Sequence, residues 1–407
     1  MMNSTLACTT AFSPIDGPNG YDSDEPLARV LSFGVELEFS ILTLKAGQKD
    51  PNPKDDRIVY GIVPPTDPQR VDYQYVCEDR VKEHLANNLN ETFNALEVQS
   101  TKSTVAPQQF WAFGGNIKGK GSRNPDGSER TPLGEWIITQ DPSIIPPKHP
   151  VYEFFPIEVN SPAFLFSEAA VYQVQEVVAH LNNTYRININ ETCGLHLHIG
   201  SKHAGFSFPH LRKICAVFWT FEPCFYYLAN ESRWANDECP FMTQKSNLMQ
   251  LLRAEGKSHS ECLQEGLEMI LSTSSVDELI NLLTWTEHRL GFNLRNLYEN
   301  PPHGFPEKAK RTIEVRFHEG SLDPQDIYHW THLFHGFIQF AEYVNTSSLE
   351  KWLREHTRDT ENNPFQLLNA LKLHHQAWYY EIKTKHRWSK TGKVDLSAII
   401  ALATKQL

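Results

Sequence analysis

Four short stretches of this 407-residue chain place an apolar residue at every second position, with acids, histidines or an arginine between. Ser32–Ile41 reads S-F-G-V-E-L-E-F-S-I and Phe155–Asn160 reads F-P-I-E-V-N. Gly194–Gly200 reads G-L-H-L-H-I-G and Thr312–His318 reads T-I-E-V-R-F-H. Successive side chains on a strand point to opposite faces, so each stretch buries one aliphatic or aromatic face. The opposite face carries Glu36 and Glu38, Glu158 and Asn160, His196 and His198, and Glu314 and Arg316. If the four strands share a sheet, one side of it becomes a wall of metal-ligating and phosphate-ligating groups.

Each pair has a plain reading beside a chemical one. Glu36 and Glu38 project side by side, about 7 Å apart at the rise of a strand. Like charges at that spacing call for cations or water between them, and a solvated outer face supplies water. His196 and His198 form an H-x-H strand, a frequent metal-ligand layout that two ordinary half-buried histidines also satisfy. Glu314 and Arg316 read as an acid for a metal with a guanidinium for phosphoryl oxygens, or as a mutual salt bridge. Taken together, oxygen ligands with an occasional imidazole plus arginine suit Mg²⁺ or Mn²⁺ holding a nucleoside triphosphate. A zinc site would more typically show cysteine or a tighter histidine set. Arg233, in N-E-S-R-W, reads equally as a clamp for an anionic substrate and as a plain arginine. Asp141, in D-P-S, reads as a turn former or a substrate contact.

The net charge of −11 excludes nonspecific nucleic-acid binding, which needs clustered Lys and Arg. No stretch reaches the roughly 18–20 uncharged apolar residues of a membrane span. The N-terminus shows no basic segment followed by an apolar one, and seven scattered cysteines without a C-x-x-C fit a reducing interior, so a cytoplasmic location is expected.

Residues 1–28 are polar and turn-rich and are expected to be disordered. A Pro- and Asp-rich insertion at 45–72 and a Gly-rich loop at 116–132 interrupt a domain expected over 29–346, and 347–407 reads as a helical extension. The Gly114–Gly121 segment nearly matches a phosphate-binding loop, but Gly121 replaces the hydroxyl residue that holds Mg²⁺. Helices are expected over 75–96, from the Ser167 cap to about 182, through much of 207–285, from Asp323-Pro324 to about 344, and over 366–383. Ser275 to Glu278 reads as a capping box. The grouping of strands, then helices, points to an α+β fold.

The order of motifs resembles the amidoligase family, within the carboxylate–amine ligase superfamily of glutamine synthetase and glutamate–cysteine ligase. The matching blocks are F-G-V-E-L-E-F, W-I-I-T-Q-D-P-S, I-E-V-N-S-P, C-G-L-H-L-H-I-G, S-R-W-A-N, F-N-L-R-N-L and T-I-E-V-R-F-H-E-G-S-L-D, running from Phe33 to Asp323. The resemblance implies an antiparallel sheet with a concave active-site face, flanked by helices. It implies ATP and Mg²⁺ (or Mn²⁺) as cofactors, and amide formation between a carboxylate and an amine through an acyl phosphate. It would give Glu36, His196 and Glu314 to one cation and Glu38 and Glu158 to another. His198 would contact the nucleotide and Arg316 the transferred phosphoryl, with Arg316 and Glu314 as the catalytic pair. Asn160, Ser161, Arg233 and Asp141 are the candidate substrate contacts. Val315, Phe317 and Ser321 depart from the family pattern, the first two on the apolar face. The competing readings are a metal-dependent hydrolase or oxygenase built on the H-x-H strand, and a noncatalytic nucleotide-binding relative. The carboxylate, the amine and the oligomeric state stay open at this stage.

Overall fold

All four alternating stretches form strands, and they lie consecutively in one sheet of the computed structural model, which describes residues 31–45, 47–61, 73–93, 96–102, 135–201, 205–302, 310–357 and 362–391. The strands are β1 (Ser32–Leu44), β2 (Val98–Ser100), β3 (Trp136–Thr139), β4 (Tyr152–Asn160), β5 (Phe164–Leu165), β6 (Ile187–Asn188), β7 (Gly194–Gly200), β8 (Phe292–Asn293) and β9 (Thr312–Glu319). They are ordered β2-β3-β4-β1-β7-β9-β8, with β5 and β6 pairing β1. Among the described strands only the β2–β3 pairing is parallel. The chain is therefore a mixed α+β protein with a large, mostly antiparallel sheet.

Helix α1 (Tyr73–Thr92) precedes β2, and α2 (Glu168–Thr184) follows β5. A run of helices separates β7 from β8: α3 (Phe208–Leu228), α4 (Met242–Lys245), α5 (Asn247–Ala254), α6 (His259–Ser272) and α7 (Val276–Leu283). After β9 come α8 (Pro324–Tyr343), α9 (Thr346–His356), α10 (Pro364–Ala370) and α11 (His374–Thr391). Among the described residues, no helix is long and apolar enough to cross a membrane.

Local chemistry sets several of these bounds. Ser167 accepts from Ala170 N and starts α2, and Asp323 accepts from Gln325 N with proline in the first turn of α8. Ser275 caps α7, but the Glu278 carboxylate reaches back to Ser274 N rather than to the cap residue. The helix expected over 366–383 is instead two, because Lys372 takes a left-handed φ of 61° between them. The 45–72 insertion is tied to the sheet as far as its described part extends. The Arg186 guanidinium, 5% exposed, donates to Asp50 Oδ1 at 3.0 Å and Asn52 O at 2.8 Å. The N-terminal segment 1–28, the 116–132 loop, the Gly114–Gly121 segment and the end of the C-terminal extension lie outside the described residues.

One face of the sheet is the core. Leu37, Phe39, Ile157, Val159, Leu195, Leu197, Ile313, Val315 and Phe317 are all buried there. Helices α2 and α3 both pack on α8, which meets β7. Phe317 binds the layers together: its ring stacks on Tyr226 of α3 at 4.2 Å and meets Trp330 of α8 edge-on at 5.4 Å. The departures at Val315 and Phe317 thus lie on the packed side, away from the polar face.

Candidate active site

Strand register brings the polar residues of β4, β1, β7 and β9 side by side. Glu36 lies opposite Asn160 on one neighbour and His196 on the other, while Glu38 lies opposite Glu158. His198 lies opposite Glu314, which in turn faces Asn293 of β8. This is not a wet outer face. His196 is 3% exposed, Glu314 4%, Glu38 4% and Arg316 6%. Charged groups are almost never buried to that degree unless paired or holding a ligand.

Two groups of ligand-type atoms converge on this wall. In one, Glu36, His198 and Glu314 each offer an atom within 4.8 Å of the others, and in the other Glu38, Asp141 and Glu158 do so. His196 stands between them, with Nδ1 3.1 Å from Glu36 Oε2 and Nε2 3.4 Å from Glu38 Oε1. Arg316 ties the same region together, since its NH1 donates to Glu314 and Nε donates to Glu238 O at 3.4 Å. Asn293 Nδ2 donates to Glu314 Oε2 at 2.6 Å, and the Gly194 N–H donates to Glu38 Oε2 at 2.6 Å.

The two groups differ in electrostatics. Burial pushes the Glu36 carboxyl upward, but Lys310, His198 and His196 outweigh it and hold the group well below the usual range. Burial likewise opposes ionisation of Glu314, and Arg316 followed by His198 reverses the effect and keeps it ionised. The second group goes the other way. Burial, then Glu36 and Asp141, raises Glu158 to about 8, and burial with Asp141 and Glu158 raises Glu38 well above its ordinary value. Burial and the Arg316 charge lower His196 to about 4, which leaves it neutral at physiological pH.

The structure groups several of the expected site residues differently. It is His198, not His196, whose ligand atom converges with Glu36 and Glu314, because the β7–β9 register sets His198 directly opposite Glu314, while the pairing is irregular at His196. Asp141 joins the second acid group while its Oδ1 also accepts from Ser143 N at 2.7 Å. Asn160 Nδ2 donates to Glu158 Oε1 at 2.6 Å, which keeps it in the site. Ser161 Oγ accepts from Val35 N at 2.8 Å and donates to Pro162 O at 2.9 Å, fixing the end of the β1–β4 pairing. Arg233 is 2% exposed, and its NH2 donates to Arg316 O at 2.9 Å with NH1 3.4 Å from Cys193 O. Its charge is thereby directed at the backbone that carries the site. Sequence reasoning missed Lys310, whose Nζ lies 3.1 Å from Glu36 Oε1, and the specific part of Asn293. It also missed Thr312, whose Oγ1 meets His198 Nδ1 at 3.0 Å and orients the ring. Asn293 and Thr312 fall within motifs already singled out; Lys310 carries no signal of its own.

The protein-family model described as putative amidoligase enzyme matches residues 29–338. That span includes every strand of the sheet and every residue of the polar face. Helices α9, α10 and α11 follow it. No curated protein matches the chain.

Proposed function

The chain belongs to the family of putative amidoligase enzymes, and from that membership we propose an ATP-dependent ligase that joins a carboxylate to an amine with Mg²⁺ or Mn²⁺. A carboxylate oxygen of one substrate attacks the γ-phosphorus of ATP and ADP leaves. The amine nitrogen then attacks the acyl carbon, inorganic phosphate leaves and the amine gives up a proton. The product is an amide.

The observation that carries this reading is the gathering of two carboxylate-rich groups on one buried face, with Arg316 paired into it. Donor chemistry supports the choice of cation: Glu36, His198 and Glu314 would hold one ion, and Glu38, Asp141 and Glu158 another. Oxygen ligands with a single imidazole suit Mg²⁺ or Mn²⁺ better than a thiolate metal. Bound there, the cations would neutralise the charge of the phosphates and the developing leaving group. Arg316 supplies fixed N–H donors for the transferred phosphoryl oxygens, at a site where burial strengthens them. His196, neutral between the two groups, can accept or donate without adding charge. Phosphoryl transfer needs positioning and charge compensation rather than a protein nucleophile. Asn160, beside Glu158, lines the end of the wall where the substrates meet the second acid group. Substrates are small molecules or peptides rather than nucleic acid, in keeping with the net charge of −11. A reducing cytosol fits seven scattered cysteines without a C-x-x-C, of which the six described are buried.

The test is ADP release from ATP and Mg²⁺ in the presence of carboxylate pools, with hydroxylamine as a surrogate amine so that an acyl phosphate is trapped as a hydroxamate. Carboxylate-dependent ADP and hydroxamate are expected, and both are lost in Glu314→Gln. Turnover that survives both Glu314→Gln and Glu36→Gln would overturn the assignment.

A further inference from the structure

Besides His196, Glu36 meets a charged group from outside the strands that belongs to neither acid group. Lys310 leads into β9, and its Nζ lies 3.1 Å from Glu36 Oε1, the same oxygen that meets His198 Nε2 at 2.8 Å. Its surroundings differ from those of every other charge on the wall. The Lys310 side chain is 62% exposed, whereas that of Glu36 is 13% exposed. The ammonium thus reaches from solvent down onto a carboxylate that the rest of the site buries. Glu36 acts on it most strongly, and Glu314 and Glu158 add to the pull.

The backbone that aims this lysine is held in an uncommon shape. Arg311, the next residue, has a φ of 53°, in the left-handed region that non-glycine residues rarely adopt. Its N–H donates to Asn296 O at 2.9 Å, and at Gly200 an added Cβ would come within 3.5 Å of the Arg311 carbonyl oxygen. Strain of this kind persists only where its surroundings fix it, and it collects at functional sites.

A lysine is a compact charge on a flexible stem, and an ammonium that stays largely in solvent can leave a carboxylate without being stranded in the interior. Glu36, His198 and Glu314 together offer a divalent cation more than that one contact. We infer that Lys310 is an exchangeable counter-ion: a divalent cation displaces it from Glu36, and the freed ammonium takes a phosphate oxygen of the nucleotide that accompanies the cation. The exchange itself stands on the geometry around Glu36, and its second half rests on the ligase reading above. No bond is made or broken in the exchange. One ion pair of Glu36 is replaced by another, and Lys310 keeps its proton throughout.

The test is Mn²⁺ titration of the full-length protein by calorimetry, first without nucleotide and then with the β,γ-imido analogue of ATP. Lys310→Met removes the competitor, so Mn²⁺ affinity without nucleotide should rise about fivefold, while Lys310→Arg stays near the unsubstituted protein. With Mn²⁺ saturating, the same Lys310→Met protein should bind the analogue at least about threefold more weakly, because a phosphate contact is gone. Mn²⁺ affinity that is equal in all three proteins, or weaker in Lys310→Met, overturns the exchange. Glu36→Gln should abolish the difference between the lysine and methionine proteins, and a difference that survives it also overturns the exchange. ADP formation with an unmoved Mn²⁺ affinity defeats this inference alone. The Mn²⁺ pattern without any carboxylate-dependent ADP supports the exchange and defeats the ligase reading.

Discussion

Arg316 donates through NH1 to Glu314, two residues back along the same strand, with side-chain exposures of 8% and 5%. The mutual salt bridge is therefore present, and it is buried rather than at the surface. A buried pair whose members lose each other leaves an uncompensated charge, whereas removing both charges together does not. Arg316→Met is expected to cost about 3–5 kcal/mol in urea unfolding, with Glu314 left behind. The double variant Arg316→Met with Glu314→Gln should recover most of that loss, and neither protein should release ADP. A double variant as unstable as the single one would sink the pairing argument.

Gly194 tests how tightly the site is packed from behind. A Cβ at this position would come within 2.7 Å of His196 Nε2 and 3.3 Å of Arg233 NH2. The same residue's N–H holds Glu38, so its backbone has little room to yield. Gly194→Ala should cost about 1–3 kcal/mol through overpacking. Because it displaces His196, it should also lower carboxylate-dependent ADP formation by at least about tenfold in the folded protein. Thermal unfolding and turnover measured on one preparation check both; unchanged turnover would remove His196 from the machinery.

What the sequence could show was fixed by strand periodicity. Alternation alone identifies which side of β1, β4, β7 and β9 is apolar, and a buried core makes the other side polar without ambiguity. Residues on these strands were accordingly legible as a set. How two strands slide past each other was not, and it decided which histidine converges with Glu36 and Glu314. The irregularity between Leu195 and Leu197 lies in the pairing with β9, and nothing in G-L-H-L-H-I-G marks it. Asp141 and Lys310 come from segments flanking strands, so their positions depend on how the chain closes over the sheet rather than on local pattern. Helix starts were legible where a side chain caps them, as at Ser167 and Asp323, and the break at Lys372 was not because no glycine or proline signals it.

Arg233 separates support from substrate contact. Its guanidinium spans the Arg316 carbonyl on β9 and the Cys193 carbonyl just before β7, the two strands whose pairing is irregular. Arg233→Met should take a buried donor from the Arg316 carbonyl, while Cys193 O keeps its bond from Gly320 N, and cost about 1–3 kcal/mol. Its effect on turnover should appear as a lowered kcat with KM for the carboxylate substrate little changed, since the strand beneath Arg316 loosens while the substrate loses no direct partner. A KM raised more than about tenfold with kcat preserved would instead make Arg233 the anion clamp.

The second acid group gives the site a pH dependence. Glu158 is pushed up to about 8 from an ordinary value of 4.5, first by burial and then by the Glu36 and Asp141 carboxylates, and Glu38 is raised for related reasons. Between those two values the unfolded chain has released the Glu158 proton and the folded one keeps it. Folding stability in the absence of divalent cations therefore declines as pH climbs through this window, and the decline levels off above it. Cation binding requires the ionised carboxylates, so it expels these protons and becomes more favourable over the same range. Glu36 and Glu314 are already ionised and His196, at about 4, is already neutral, so none of them contributes to the slope. Mn²⁺ affinity should rise about tenfold per pH unit for each proton released between about pH 6 and pH 8. The thermal midpoint without Mn²⁺ should fall across that interval, and added Mn²⁺ should raise it more at the upper end. Calorimetry in two buffers of different ionisation enthalpy counts the protons directly. An affinity that is flat with pH, with no protons released, would show that Glu38, Asp141 and Glu158 do not hold the cation.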